Sequence, residues 1–277
     1  SLRLLGWGQR ADGLLELCAP ARVPVTIPVF SLSWICAVCE HHMFSGSEEL
    51  LREFRPVIER VLRAFLDRID PETGLSCLFE GDDYWAFYEW APALDFKNGK
   101  SFGEDGKFRL DAPHNLMLVE ALDIYARSAA FVWGRRVVRP WEEAASRLRR
   151  AIRGFFLDER AGALNSFGDH SRRWHFSATV QAMGILTGVL TPNEAERIRP
   201  RLLKPEGWHP MSISTLWYGL RALAGCTDPE LQASTYEHVV QRFGRMVMQG
   251  STTLWETDDG ADDFDLAGSL CHGWSAV

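Results

Sequence analysis

Apolar residues at Leu50, Leu51, Phe54, Val57, Ile58, Val61, Leu62, Phe65 and Ile69 recur in steps of three and four. That is the period of one face of an α-helix, and it predicts a helix over residues 47–69. The same period returns over residues 30–44, 116–132, 141–157, 176–186, 216–223 and 231–247. Two helix starts are marked in the letters themselves. Thr191, Pro192 and Glu194 spell a capping box with proline at the first helical position, and Asp228 with Pro229 does similar work. Alternating apolar and polar positions closed by hairpin dipeptides, the mark of strands, are nearly absent. The pattern predicts an all-α fold.

The helices come in pairs, joined on one side by short turns and on the other by long polar loops at residues 74–111, 158–173, 204–212 and 250–268. Loops longer than about 15 residues are unusual in compact domains and are commonly functional. Long loops recurring at one end of helical pairs predict a ring of hairpins, an (α/α)6 toroid with its site at the loop end. A solenoid stack of the same pairs stays open, although no strict sequence repeat supports it. Eight or nine helices are counted, fewer than a closed ring of six hairpins would have, so the ring is expected to be incomplete.

Composition then narrows the classes. A chain of 277 residues, 46% of them hydrophobic, can bury the core of one large domain, and residues 1–277 are expected to form a single, partial domain. Thirty basic residues against 37 acidic ones give a net charge of −7, with the two signs interspersed, which argues against a nucleic-acid partner. No apolar run reaches the roughly 18 residues of a membrane span, so no membrane partner is expected. The chain opens on Ser1 without a methionine and ends at Val277 after an aromatic-rich motif. It is expected to be a piece of a longer protein, with targeting signals out of view and localisation unknown, the cytoplasm being slightly favoured. Its oligomeric state is equally unreadable.

No metal or cofactor is expected. The six cysteines are read as free thiols: Cys36 and Cys39, with His41 and His42, lack the second ligand pair of a structural zinc site. Asp258, Asp259, Asp262, Asp263 and Asp265 lack the spacing of a calcium loop. Gly6, Gly8 and Ala11 match a dinucleotide fingerprint loosely, without a preceding strand. The sequence holds no P-loop, no His-Glu-x-x-His and no Gly-x-Ser-x-Gly.

The candidate chemistry sits in the loops. Trp85, Trp90, Trp174, Trp208, Trp255 and Trp274 lie in or beside polar segments, next to acids or histidines, whereas Trp34, Trp133, Trp141 and Trp217 fall within helical stripes. An indole covers the apolar face of a sugar while polar groups bond its hydroxyls, so loop tryptophans beside carboxylates suit a neutral polyhydroxylated ligand. The plainer reading, aromatics that plug loops onto the core, stays open for each. Residues 80–92 gather Glu80, Asp82, Asp83 and Glu89 with Tyr84, Trp85, Phe87, Tyr88 and Trp90. Residues 250–257 set Glu256 directly after Trp255, a lone carboxylate suited to acid or base duty. Residues 269–274 place His272 at an expected helix start, where a capping or core role is the alternative.

The order of Tyr84 to Pro92, Gly250 to Thr257 and Ser269 to Ala276, separated by paired helices, resembles the six-hairpin catalytic domain of bacterial α-L-rhamnosidases, glycoside hydrolase family 78. Residues 181–191 and 208–222 resemble its intervening helices more weakly. The resemblance implies an inverting hydrolase of terminal α-L-rhamnose with Glu256 as general base. It implies that Glu89 and Trp90 wall the sugar, Glu89 standing where many relatives have aspartate, and that His272 matches the family's histidine near the closing helix. With the loop aromatics, the substrate-binding candidates are Trp85, Tyr88, Glu89, Trp90, Trp174, Trp208, Trp255 and His272. Glu89, Trp90, Glu256 and His272 are expected to line one concavity.

The family's general acid, in an Asp-Cys-Pro-type motif, finds no counterpart, so it is expected upstream and residues 1–277 alone are expected to be inactive. Other readings are a different six-hairpin glycosidase, an unsaturated-uronyl hydrolase, or a non-catalytic sugar-binding module. A uronate pocket wants basic groups, and the loops offer only Lys97, Lys100, Lys107, Arg109, Arg172 and Arg173.

Overall fold

The computed structural model describes residues 1–20, 23–97, 110–168 and 175–273. Its helices of six residues or more are α1 (Leu2–Trp7), α2 (Pro28–Ser45), α3 (Glu49–Leu66), α4 (Ala112–Trp133), α5 (Arg135–Phe156), α6 (Ala178–Leu186), α7 (Pro192–Leu203), α8 (Leu216–Ala224) and α9 (Pro229–Met248). Strands among the described residues are two or three residues long, so the chain is all-α as its periodicity predicts. The chain divides into two compact units. One carries α1 to α5, and the other carries α6 to α9 with residues 88–95 and 158–165.

In the first unit, burial separates the helices into two kinds. α4 buries 14 of its 22 residues, leaving a narrow line through Glu120, Asp123, Arg127 and Phe131 unburied, and packs against α2, itself apolar along most of its length. α3 and α5 bury one stripe each and keep arginines and glutamates on the other face. A helix apolar all round belongs in the interior and an amphipathic one at the surface. α2 and α4 are therefore the inner members of two hairpins, and α3 and α5 the outer ones. The α3 stripe is Leu50, Leu51, Phe54, Ile58, Val61, Leu62 and Phe65. Burying each such side chain contributes about 1.5–3 kcal/mol.

The second unit repeats the scheme. α6 buries seven of its nine residues and packs on α8, while α7 flanks α6 and α9 flanks α8. Each inner helix connects to its outer partner through a short turn, at residues 46–48, 134, 187–191 and 225–228, which forces the two antiparallel. The turn between α4 and α5 is a single residue. Gly134 makes it at φ +83°, a conformation L side chains disfavour, and its amide donates to the Ala130 carbonyl at 3.0 Å. The Thr191–Glu194 capping box is present, with the Thr191 amide donating to the Glu194 carboxylate at 2.7 Å. Asp228 accepts from the Glu230 amide at 3.0 Å.

Boundaries moved where local chemistry outcompetes periodicity. The helix expected to reach residue 69 ends at Leu66, because Asp70 accepts from the Thr73 amide and hydroxyl at 2.8 and 2.6 Å and turns the chain. α5 starts six residues earlier than its apolar stripe, on exposed arginines that carry no period. Three outer helices hold an internal, exposed proline: Pro56 in α3, Pro140 in α5 and Pro200 in α7. Among the described residues, no helix is long and apolar enough to cross a membrane.

Candidate active site

The second unit grows its polar centre from a helix start. Ser177 caps α6, its hydroxyl accepting from the Thr179 amide at 3.1 Å. The same hydroxyl donates to Glu89 at 2.7 Å. The other carboxylate oxygen of Glu89 accepts from the Ser212 amide at 3.2 Å and the Thr215 hydroxyl at 3.1 Å, and Thr179 and Thr215 share a hydrogen bond of 2.8 Å. Glu89 has no solvent exposure. Burial pushes its carboxyl above the usual carboxylate range, against the pull of its donors at Ser177, Ser212, Thr179 and Thr215. The carboxylate expected at the sugar wall thus meets serine and threonine hydroxyls and a backbone amide. Nearby, the rings of His175 and His209 stack at 4.4 Å, and His175 Nε2 lies 2.9 Å from the Pro92 carbonyl.

Trp90, next in sequence and half-buried, turns its ring onto Phe264 at 4.7 Å between centroids. Phe264 belongs to the loop that follows Glu256. That loop is braced at several points. Trp255 is buried against Ile213 and Met246, with Phe243 beside them. Arg242 joins the Asp258 carboxylate (2.8 Å from Nε) to the Met211 carbonyl (3.0 Å), and Arg245 donates to the Asp258 carbonyl. The half-buried Glu256 gives its amide to the Ser269 carbonyl at 2.9 Å, and the His272 amide donates to the Leu254 carbonyl at 2.8 Å. Residues 254–256 and 269–272 thus run side by side, which brings the glutamate and histidine motifs together. His272, where a helix start is expected, lies one residue before the end of the described residues at Gly273.

Two tryptophans expected as sugar contacts are buried. Trp255 is the buried anchor just described, and Trp208, 7% exposed, has its face covered by the Arg201 guanidinium at 3.7 Å. Tyr88 is 6% exposed, its amide closing a turn onto Leu94. Trp85 is half-buried in the first unit, against Phe87 at 5.3 Å. Trp174 and Trp274 lie outside the described residues. The hydroxyl cluster of Ser177, Thr179, Ser212 and Thr215 escaped sequence reasoning, although its signal is there: serine and threonine crowd the entries to the apolar helices α6 and α8. Among the described residues, no group of three metal-binding side chains occurs.

The sequence profile of the bacterial alpha-L-rhamnosidase six-hairpin glycosidase domain matches residues 1–277. The chain belongs to this family. Its fold is accordingly that of the six-hairpin toroid, and solved structures agree. The glycoside hydrolase family 78 rhamnosidase of Bacillus sp. GL1 superposes with a TM-score of 0.82 at 22% identity, covering 99% of this chain and 28% of that one. A rhamnosidase from Klebsiella oxytoca, solved with rhamnose bound, gives 0.76 at 20% identity over 99% and 51%. The α-L-rhamnosidase from Dictyoglumus thermophilum gives 0.66 at 18% over 92% and 27%. This rhamnosidase-family domain thus spans about half or less of the length of these relatives. No curated protein sequence matches it.

Proposed function

We propose that residues 1–277 are part of the catalytic domain of an inverting glycosidase that removes terminal α-L-rhamnose, with Glu256 as general base. The observation that carries this reading is the placement of Glu256. It stands half-buried at the edge of a loop whose preceding residue, Trp255, is locked in the core, beside the strand-like segment of His272 and in the same loop as the Phe264 that receives Trp90. A base that must hold one water in line needs this combination of a fixed backbone and a reachable carboxylate. Trp90 and His272, both half-buried in the second unit, are the side chains proposed to meet the sugar. The indole supplies an apolar face and the imidazole a hydrogen-bonding partner.

Inversion requires a second carboxyl group, the acid for the leaving oxygen, about 6.5–9.5 Å from the base. The sequence contains no motif matching the family's acid, so the acid is assigned to another part of the full-length protein and residues 1–277 alone are expected to be inactive. The test is Glu256→Gln in the full-length protein with an aryl α-L-rhamnoside. Turnover should fall by about a hundred- to ten-thousand-fold, the usual contribution of a positioned base, with a much smaller change in KM. NMR of the first product formed by the wild type should show the β-anomer. A variant that melts earlier yet turns over normally would move the base elsewhere.

A further inference from the structure

We infer that Glu89 is a positioning residue: its carboxylate pins the sugar wall and the base loop to one another and takes no part in contacting the sugar. The inference rests on the rhamnosidase reading for its kinetic readout only. Every described partner of the Glu89 carboxylate is a neutral donor, namely Ser177, Thr179, Ser212 and Thr215, drawn from the cap and first turn of α6 and the turn that leads into α8. Among the described residues, no lysine, arginine or histidine forms an ion pair with it. From this centre two routes reach the Glu256 loop. On one side Ile213, directly after Ser212, packs on Trp255, the residue before Glu256. On the other, Trp90 directly follows Glu89 and lies on Phe264. Cutting the pin leaves buried hydroxyls and an amide without their acceptor, and those groups relax toward water, moving both routes together.

Glutamine separates a pin from a chemical participant. Its oxygen still accepts from the Ser212 amide and the Thr215 hydroxyl. Its NH2 can donate to the Ser177 oxygen, which has a lone pair to spare beside the Thr179 amide. A pin therefore tolerates Glu89→Gln, whereas a carboxylate that binds the sugar or moves a proton does not. In the full-length protein, Glu89→Ala should lower kcat/KM at least tenfold and Glu89→Gln should recover it to within about threefold of wild type. A second readout does not depend on turnover. Near-UV circular dichroism should lose in Glu89→Ala the component that Trp90→Phe also removes, and keep it in Glu89→Gln. Should Glu89→Ala fail to fold, Thr215→Val removes one donor and keeps the shape, and a loss of about threefold or more is expected. A glutamine variant as impaired as the alanine one, or an unchanged kcat/KM in Glu89→Ala or Thr215→Val, would overturn the inference. An inactive wild type would instead overturn the rhamnosidase reading, leaving the dichroism to decide the pin.

Discussion

Gly260 offers a test of how the base is held. It sits at φ +60°, and a Cβ added there would approach Trp255 at 2.6, 2.9 and 3.0 Å from ring atoms Cε3, Cζ3 and Cδ2. Gly250, at the start of the same loop, has a similar φ of +83° with nothing within 4 Å of its virtual Cβ. Alanine at either position meets the left-handed backbone cost of about 1–2 kcal/mol. At Gly260 a methyl group must also displace a buried indole, adding the about 1–3 kcal/mol typical of overpacking. The difference between the two variants thus isolates the contact with Trp255. For a chain of this size it corresponds to a melting temperature about 2–12 °C lower for Gly260→Ala than for Gly250→Ala. Because Trp255 precedes Glu256, the indole carries the base with it, and a displacement near 1 Å can cost about a hundredfold in rate. Thermal melts and kcat/KM for an aryl α-L-rhamnoside, measured on the same preparations of full-length protein, read both effects. Equal melting temperatures and equal turnover in the two variants would show that Trp255 does not fix the loop.

Three further outcomes follow from the electrostatics. Burial first, and then the nearby Arg68 charge, lower the His114 pKa to about 3, so the native imidazole stays neutral while the unfolded one protonates near 6.5. Unfolding free energy should fall as pH drops from about 6.5 toward 3, and NMR should show no titration of His114 above pH 4. Glu89 shifts in the opposite sense: its raised folded pKa means the native state holds a proton longer than the unfolded chain, so stability declines as pH rises from the unfolded value through the folded one. The difference in unfolding free energy between wild type and Glu89→Gln, followed by denaturant titration across pH 4–8, should move in favour of glutamine as pH rises. Burial also drives the Cys39 thiol up to about 12, so a disulfide-exchange reagent should label exposed Cys18 and Cys271 in the native protein and Cys39 only after unfolding.

The helices were legible because burial follows period: the stripe from Leu50 to Phe65 is buried as read except for the half-buried Val57, and the Thr191 box caps α7 as written. The distinction between inner and outer helices was legible in principle, since α4 is mostly apolar with one narrow polar line and α5 is mostly polar with one apolar stripe. Side-chain roles at the site were less so. A tryptophan beside an acid looks the same in sequence whether its face is open, as for a sugar, or covered, as Arg201 covers Trp208. Glu89 looked like a ligand contact because nothing local reveals its partners. Those partners lie 88, 123 and 126 positions away and are uncharged, so neither charge pairing nor spacing announces them.

The prolines of the outer helices mark seams. Proline has no amide, so in α3, α5 and α7 the carbonyls of Arg52, Arg136 and Glu196 lose their donors one turn ahead, and all three residues are exposed, where water replaces the missing bond. The break costs little on that side, and it lets the solvent edge of each helix lengthen and the helix bow around its inner partner. It also divides each outer helix into two segments that can open independently, so a fluctuation that frays one end stops at the proline. The surface layer can breathe in short pieces while α2, α4, α6 and α8, uninterrupted by any internal proline, keep the loops at their ends in place.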